Sequence, residues 1–250
     1  MPVVGRNAIL VADSTTMSLT DRVVLITGAT GDLGRVATRL FAADGARLAL
    51  AGTDEARLRE VASDAGLADD RWIPVVADLR DPAATRDALA AIADVLGPID
   101  ILLHLVGGYT GGTQIADVDP TDFREMLEQH LWTTFHVVRT VIPGMVERGR
   151  GRVMAVTTPV ASEPSAKSGP YAVGKAAQEA LMRTLARETA NTGVTVNMVV
   201  VRAIDPKKVR LTDAKKTSWT TPEEIVATLR YLASDDAAAV TGARIPLYGR

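Results

Sequence analysis

The 250-residue chain is 47% apolar and 23% charged, close to an average globular domain, which excludes disordered and fibrous classes. Its 28 basic and 30 acidic residues leave a net charge of -2, too weak a positive field to collect nucleic acid or anionic lipid by charge alone. With no cysteine there are no disulfides, thiolate metal sites or cysteine nucleophiles, and the composition fits a reducing cytosol.

Near the N-terminus the apolar run 8–12 follows Arg6 and is ended by Asp13, so it is too short for a secretory leader. No stretch approaches the ~20 apolar residues of a membrane span, and a cytoplasmic protein is expected. The sequence from Met17 reads as the start of the folded part. Residues 1–16 are therefore expected to be an N-terminal extension and 17–250 a single domain.

Strand and helix patterns alternate from Arg22 onward. Strand 23–27 precedes helix 34–44, where Val36, Leu40 and Phe41 recur at helical spacing. Next come strand 47–51, helix 54–65, strand 72–77, helix 82–96 and strand 99–106. A long helix at 123–148, strand 152–157, helix 171–191 and strand 195–201 follow, and helix 222–233 with strand 244–247 closes the chain. Such alternation predicts βαβ units and an α/β fold: a doubly wound Rossmann-type parallel sheet in three α/β/α layers.

Directly after the first strand stands Thr27-Gly28-Ala29-Thr30-Gly31-Asp32-Leu33-Gly34. Glycines between strand and helix permit a tight turn and let a pyrophosphate approach the helix N-terminus, where free N–H groups and the dipole favour an anion. The plainer alternative is an ordinary turn with Asp32 as helix cap. Further on, Tyr171 and Lys175 lie four apart at a helix start and share a face. An ammonium beside a phenol stabilises the phenolate and lowers a pKa of about 10; the alternative is a solvated helix start.

The glycine turn, Asp78 at the end of the third strand, Tyr171-x-x-x-Lys175, Asn197 and Thr241-Gly242 together resemble the short-chain dehydrogenase/reductase family over residues 18–250. The resemblance implies an NAD(P)-dependent oxidoreductase in which hydride moves between nicotinamide and a carbonyl or alcohol carbon of a small-molecule substrate. It implies Tyr171 as acid/base, Lys175 as ribose ligand and tuner, and Thr158, at the family's serine position, as hydroxyl donor. His130 stands where the family has its helical asparagine and is the fourth catalytic candidate. Cofactor contacts are implied for Gly28, Thr30, Gly31, Asp32, Leu33, Gly34, Thr53, Asp78, Leu79, Val106, Gly107, Lys175 and Ile204, with Asp78 on the adenine. By the same likeness a homodimer or homotetramer is expected, packed through helices 123–148 and 171–191, with Ala176, Ala177 and Ala180 allowing close contact.

The chain also departs from the family pattern. Asp32 replaces a glycine, His104-Leu105-Val106-Gly107 stands for Asn-Asn-Ala-Gly, Val201-Arg202 for Pro-Gly, and Pro206 for a threonine. These departures motivate an alternative, a dehydrogenase-like protein with impaired cofactor binding that acts as a binding subunit or cofactor-free catalyst. A narrower likeness, to dihydropteridine reductases, is carried by Val106-Gly107-Gly108-Tyr109-Thr110-Gly111-Gly112, Leu131-Trp132-Thr133 and Ser218-Trp219-Thr220, and implies a quinonoid, pteridine-like substrate.

Gly52 and Thr53 occupy the positions that separate NAD from NADP and carry no charge, so the choice stays open. Asp54 next door either contacts the NAD ribose or caps the following helix. His104, His130 and His136 show no metal-ligand spacing, so no metal is expected. His136 is expected to pack on the long helix, and Trp132 and Trp219 to line a cleft or core. The lysine-rich segment 205–217 reads as a solvated, mobile lid, or as a charge lure for an anionic substrate.

Overall fold

The computed structural model describes residues 19–249; the expected extension 1–16 and a domain start at Met17 lie outside the described residues. Seven strands form one parallel sheet in the order β3-β2-β1-β4-β5-β6-β7. They are β1 (Val23–Thr27), β2 (Arg47–Gly52), β3 (Trp72–Val76), β4 (Ile101–His104), β5 (Gly151–Thr157), β6 (Val194–Val201) and β7 (Arg244–Leu247). The crossovers are α1 (Asp32–Ala43), α2 (Glu55–Asp64), α3 (Pro82–Val95), α4 (Pro120–Leu127) with α5 (Thr133–Glu147), α6 (Gly169–Glu188) and α7 (Pro222–Ala233).

Strand periodicity sorts the core into two layers. Val24, Ile26, Leu48, Leu50, Ile101 and Leu103 meet Phe41 of α1, Leu58 of α2 and Leu229 of α7. Their neighbours Val23, Leu25, Ala49, Ala51 and Leu102 face Leu89 of α3, Val137 of α5 and Met182 of α6. Because both faces are covered, the strands read as continuous apolar runs. The strand order reverses between β1 and β4, and Thr27 and His104 pair at the carboxyl ends of those two strands. This is the crevice where open α/β sheets hold ligands.

Strand 23–27, helix 222–233 and strand 244–247 have the expected bounds; others differ for local reasons. Strand four ends at His104, where Leu105 N closes the ladder on Thr27 O and also reaches the Thr27 hydroxyl, both at 3.2 Å. The helix expected over 123–148 starts earlier, at Pro120, where Asp119 accepts from Thr121 N and Pro120 fits the first turn. It is then interrupted by a π-helical turn, Glu128–Trp132. Asp32 is not a helix cap: Gly31 holds that position, and Asp32 is an exposed first-turn residue whose charge suits the dipole. Asp54 does cap α2, accepting from Arg57 N at 3.2 Å.

Trp132, expected in a cleft or core, is 42% exposed and packs edgewise on Phe135 beside His136. His136 Nδ1 lies 3.0 Å from Leu79 O, tying α5 to the loop after β3. Trp219 is partly buried with the Lys216 ammonium 4.7 Å from its ring centroid. The segment 205–217 is tied down rather than loose. Asp205 is fully buried, and its carboxylate accepts from Val209 N at 2.8 Å and Arg210 N at 2.9 Å. Among the described residues no helix is long and apolar enough to cross a membrane.

Candidate active site

Two cavities lie along the carboxyl edge of the sheet and share Val106. The first, about 340 Å³, is lined by Leu33, Val106, Gly107, Tyr109, His130, Tyr171, Lys175, Arg202 and Ile204, among others. The second, about 260 Å³, is lined by Gly28, Thr30, Thr53, Asp78, Leu79 and Arg80, with Gln129 and Thr133. Of the expected site residues, Gly31, Asp32, Gly34 and Thr158 line neither.

The glycine turn shows why. Gly28 has φ +69°, and a Cβ on Gly34 would stand 2.3 Å from Gly28 O and 2.7 Å from Ala29 Cα, so both glycines are demanded by the turn itself. At Gly31 a Cβ would meet only Gly28 O, at 3.5 Å. No side chain caps α1, which leaves its first N–H groups aimed out of the turn. Asp78 lines the second cavity, but Arg80 already holds its carboxylate: Nε at 2.9 and 3.1 Å, Nη2 at 2.6 Å, and the Arg80 backbone N–H at 3.0 Å. That hydrogen bonding holds the Asp78 carboxyl below its ordinary pKa.

In the first cavity Tyr171 stands on the opening turn of α6, flanked edge-on by Tyr109 with centroids 5.0 Å apart and by His130 at 5.6 Å. Burial raises the phenol pKa, and the Thr158 hydroxyl just beyond β5 pulls it the other way. The expected effect of Lys175 is absent from these causes. Lys175 is 6% exposed and donates to Val156 O and Gln178 Oε1, both at 2.9 Å. Desolvation brings its pKa down to about 7, against the opposing pull of Glu179. The Lys175 charge lowers the pKa of the two buried histidines.

His130 is 1% exposed and sits in the π turn; insertions of this kind recur at functional sites. Burial and the Lys175 charge lower its pKa to about 3, so the ring is neutral. Its Nε2 is 3.1 Å from Gly108 O, an acceptor only, which assigns the proton to Nε2 and leaves Nδ1 as a lone pair. Nδ1 is buried without a partner among the described residues. A Cβ on Gly107 would lie 3.1 Å from that Nδ1 and 3.8 Å from Lys175 Nζ, so the two groups border one small space that only glycine leaves open. His104 is also buried and held near pKa 3, between Thr27 Oγ1 at 3.0 Å and Thr133 Oγ1 at 3.3 Å, and forms the floor under the crevice.

Sequence reading missed the residues behind the site. Gln178 bridges Lys175 to Thr134, donating to its Oγ1 at 2.9 Å, and Thr134 donates to His130 O at 2.5 Å. Buried Glu179 accepts from Thr157 Oγ1 at 2.8 Å and from Arg244 Nε at 3.1 Å. Arg244, from the last strand, also donates to Thr158 O at 3.2 Å. The one available signal was spacing: Gln178 and Glu179 lie three and four residues beyond Lys175, on its face of the helix.

A family model described as short chain dehydrogenase matches residues 22–217. The 3-oxoacyl-acyl-carrier-protein reductase FabG of Vibrio cholerae is 28% identical over 243 residues, 93% of this chain and 98% of that protein. The (2S)-[(R)-hydroxy(phenyl)methyl]succinyl-CoA dehydrogenase subunit BbsC of Thauera aromatica is 30% identical, over 88% of this chain and 90% of its own. In structure the chain is similar to levodione reductase, with a TM-score of 0.84 at 26% identity, covering 92% and 97% of the two chains. The parallel sheet, the glycine turn at its switch point and the tyrosine–lysine pair thus belong to a chain that matches this family over most of its length: the protein is a member of the short-chain dehydrogenase family of oxidoreductases.

Proposed function

We propose that the protein is an NAD(P)-dependent carbonyl reductase in which Tyr171 is the proton donor. The carrying observation is the phenol's setting: it lines a cavity adjoining the glycine turn, and burial raises its pKa, which keeps it protonated at neutral pH as reduction requires. The residues fit a dinucleotide. Two joined cavities, an uncapped helix N-terminus and the Gly31 surface match a pyrophosphate with a base on one side and a reacting ring on the other. Thr30, Thr53, Asp78 and Leu79 would hold the adenosine end, Leu33 and the turn the phosphates, and Val106, Gly107, Lys175 and Ile204 the nicotinamide end. The cofactor, when bound, supplies the hydride.

The chain's own part is positioning and proton supply. Tyr171 gives its proton to the substrate oxygen, and the Thr158 hydroxyl stabilises the phenolate left behind. Lys175, anchored by Val156 O and Gln178, would hold the ribose with its remaining proton, and the Nδ1 lone pair of His130 is a nearby acceptor. The ketoacyl reductase relatives favour a ketone substrate over a quinonoid ring. Helix α5, with exposed Trp132 at its entry, and α6, with exposed Val173, are the expected faces for self-association.

Tyr171→Phe is expected to lower ketone reduction ~10²–10⁴-fold while NADH or NADPH still binds, read by steady-state rates and nicotinamide fluorescence. Unchanged turnover overturns the assignment. Absence of binding by both nucleotides to the unaltered protein would instead favour a dehydrogenase-like binding subunit. Testing simple ketones against quinonoid dihydropterin separates the two substrate classes.

A further inference from the structure

Arg202, the first residue beyond β6, lines the cavity that contains Tyr171 and Lys175. Its guanidinium lies over the Tyr248 ring, 4.8 Å from the centroid. Among the described residues it has no carboxylate within ion-pair distance, although fifteen ion pairs are formed elsewhere, most of them by arginine. The residues lining this cavity include two basic side chains, Lys175 and Arg202, and no aspartate or glutamate.

A guanidinium stacked on a ring is held in orientation while its N–H edge stays free, and that edge matches a carboxylate or phosphate with two parallel hydrogen bonds. A surface arginine steadied by a carboxylate would be neutralised; one steadied by a tyrosine keeps its charge for a ligand. The uncompensated field is also focused by the low-dielectric walls of the cavity, so it draws anions toward Tyr171.

We infer that Arg202 is the anion anchor of the substrate site, and that the substrate is a carbonyl or alcohol compound bearing a carboxylate or phosphate away from the reacting carbon. The inference rests on the reductase reading and narrows it to a substrate class. The lysines of segment 205–217 are not needed for it. The same anion chemistry is offered by the phosphates of the dinucleotide, and the experiment separates the two sources.

Short 3- and 4-oxo acids and their methyl esters share a reacting carbonyl and differ in charge. With the full chain and saturating NADH or NADPH, kcat/KM is expected to favour the acid over its ester by roughly tenfold or more. Arg202→Gln is expected to remove that preference by raising KM for the acids, while the Kd of NADH and NADPH, read by nicotinamide fluorescence, stays in place. Tyr248→Ala, which frees the guanidinium without removing it, is expected to give a smaller loss in the same direction. An unaltered acid-to-ester ratio in Arg202→Gln overturns the inference, and weakened dinucleotide affinity does so by assigning the anion to the cofactor. If the unaltered protein reduces neither set, the reductase reading fails by itself. Calorimetric titration of the cofactor-loaded protein with the oxo acids then decides: binding lost in Arg202→Gln upholds the anchor, and binding that is absent or unaltered overturns it.

Discussion

The cavity beside Asp78 and the cavity beside Tyr171 meet at Val106 yet treat polar groups in opposite ways. In the first of these, backbone, threonines and small residues form the wall, and the one pair of charges, Asp78 and Arg80, is satisfied within itself near solvent. In the other, Lys175 and His130 are taken out of water, held well away from their ordinary pKa values, and His130 Nδ1 is left without a partner. A surface that only binds can be built from satisfied groups. A surface that moves protons needs groups whose protonation differs from that in water, and burial is what brings Lys175 toward neutrality and keeps His130 uncharged.

The largest expected effect tests whether the glycine turn serves the chain or the ligand. Gly34→Ala drives a Cβ into Gly28 O and Ala29, backbone that cannot give, and is expected to cost roughly 1–3 kcal/mol or more, visible as a lowered Tm and lost nucleotide binding. Gly31→Ala meets only an ordinary contact inside the chain, so Tm is expected to hold while nucleotide affinity falls. Equal Tm losses in the two variants would erase the distinction.

The next effect concerns the charge of Lys175. With its pKa near 7, the group is mostly ammonium below that pH and mostly amine above it. Glu179 pulls this value up, and Arg244 neutralises Glu179 from behind. Glu179→Gln is therefore expected to move the lysine titration to lower pH and Arg244→Met to move it higher, measured by lysine-selective carbon NMR on the ligand-free chain. Shifts in the same direction for both variants would show that packing, not charge, sets the value. Reduction is expected to slow in both, since each loosens the bonds that hold Thr157 or Thr158.

The smallest effect lies in the other cavity. Arg80→Ala releases the Asp78 carboxylate from its ion pair, which is solvent-exposed and worth only about 0.2–1 kcal/mol. Stability is expected to be almost unchanged. NADH affinity is expected to rise a few-fold if Asp78 then takes the adenine amino group, as read by fluorescence titration; a fall would show that Arg80 itself is the ligand.

Much of this was legible without coordinates where the information is local. The apolar runs and their alternation with 3.6-period segments predict a doubly wound parallel sheet, and the strand order came with the structure. Tyr171 and Lys175 announce themselves by a four-residue spacing on one helix, and the glycine turn by lying between strand and helix. The break at 128–132 was not legible, because a π turn differs from an α turn by one backbone hydrogen bond and leaves no periodic mark. Nor was the role of Arg244, which lies 65 residues from Glu179 in the chain.

The sequence alone therefore determined the architecture and the places of the glycine turn and the Tyr171–Lys175 pair in the chain, since these follow from short-range pattern and the handedness of βαβ crossovers. Only the tertiary structure decided the electrostatic state of the site. A pKa near 7 for Lys175, a neutral His130 with one free lone pair, an Asp78 already paired, and an Arg202 resting on an aromatic ring all depend on which distant groups share a desolvated space. That is set by packing and is written in no local motif.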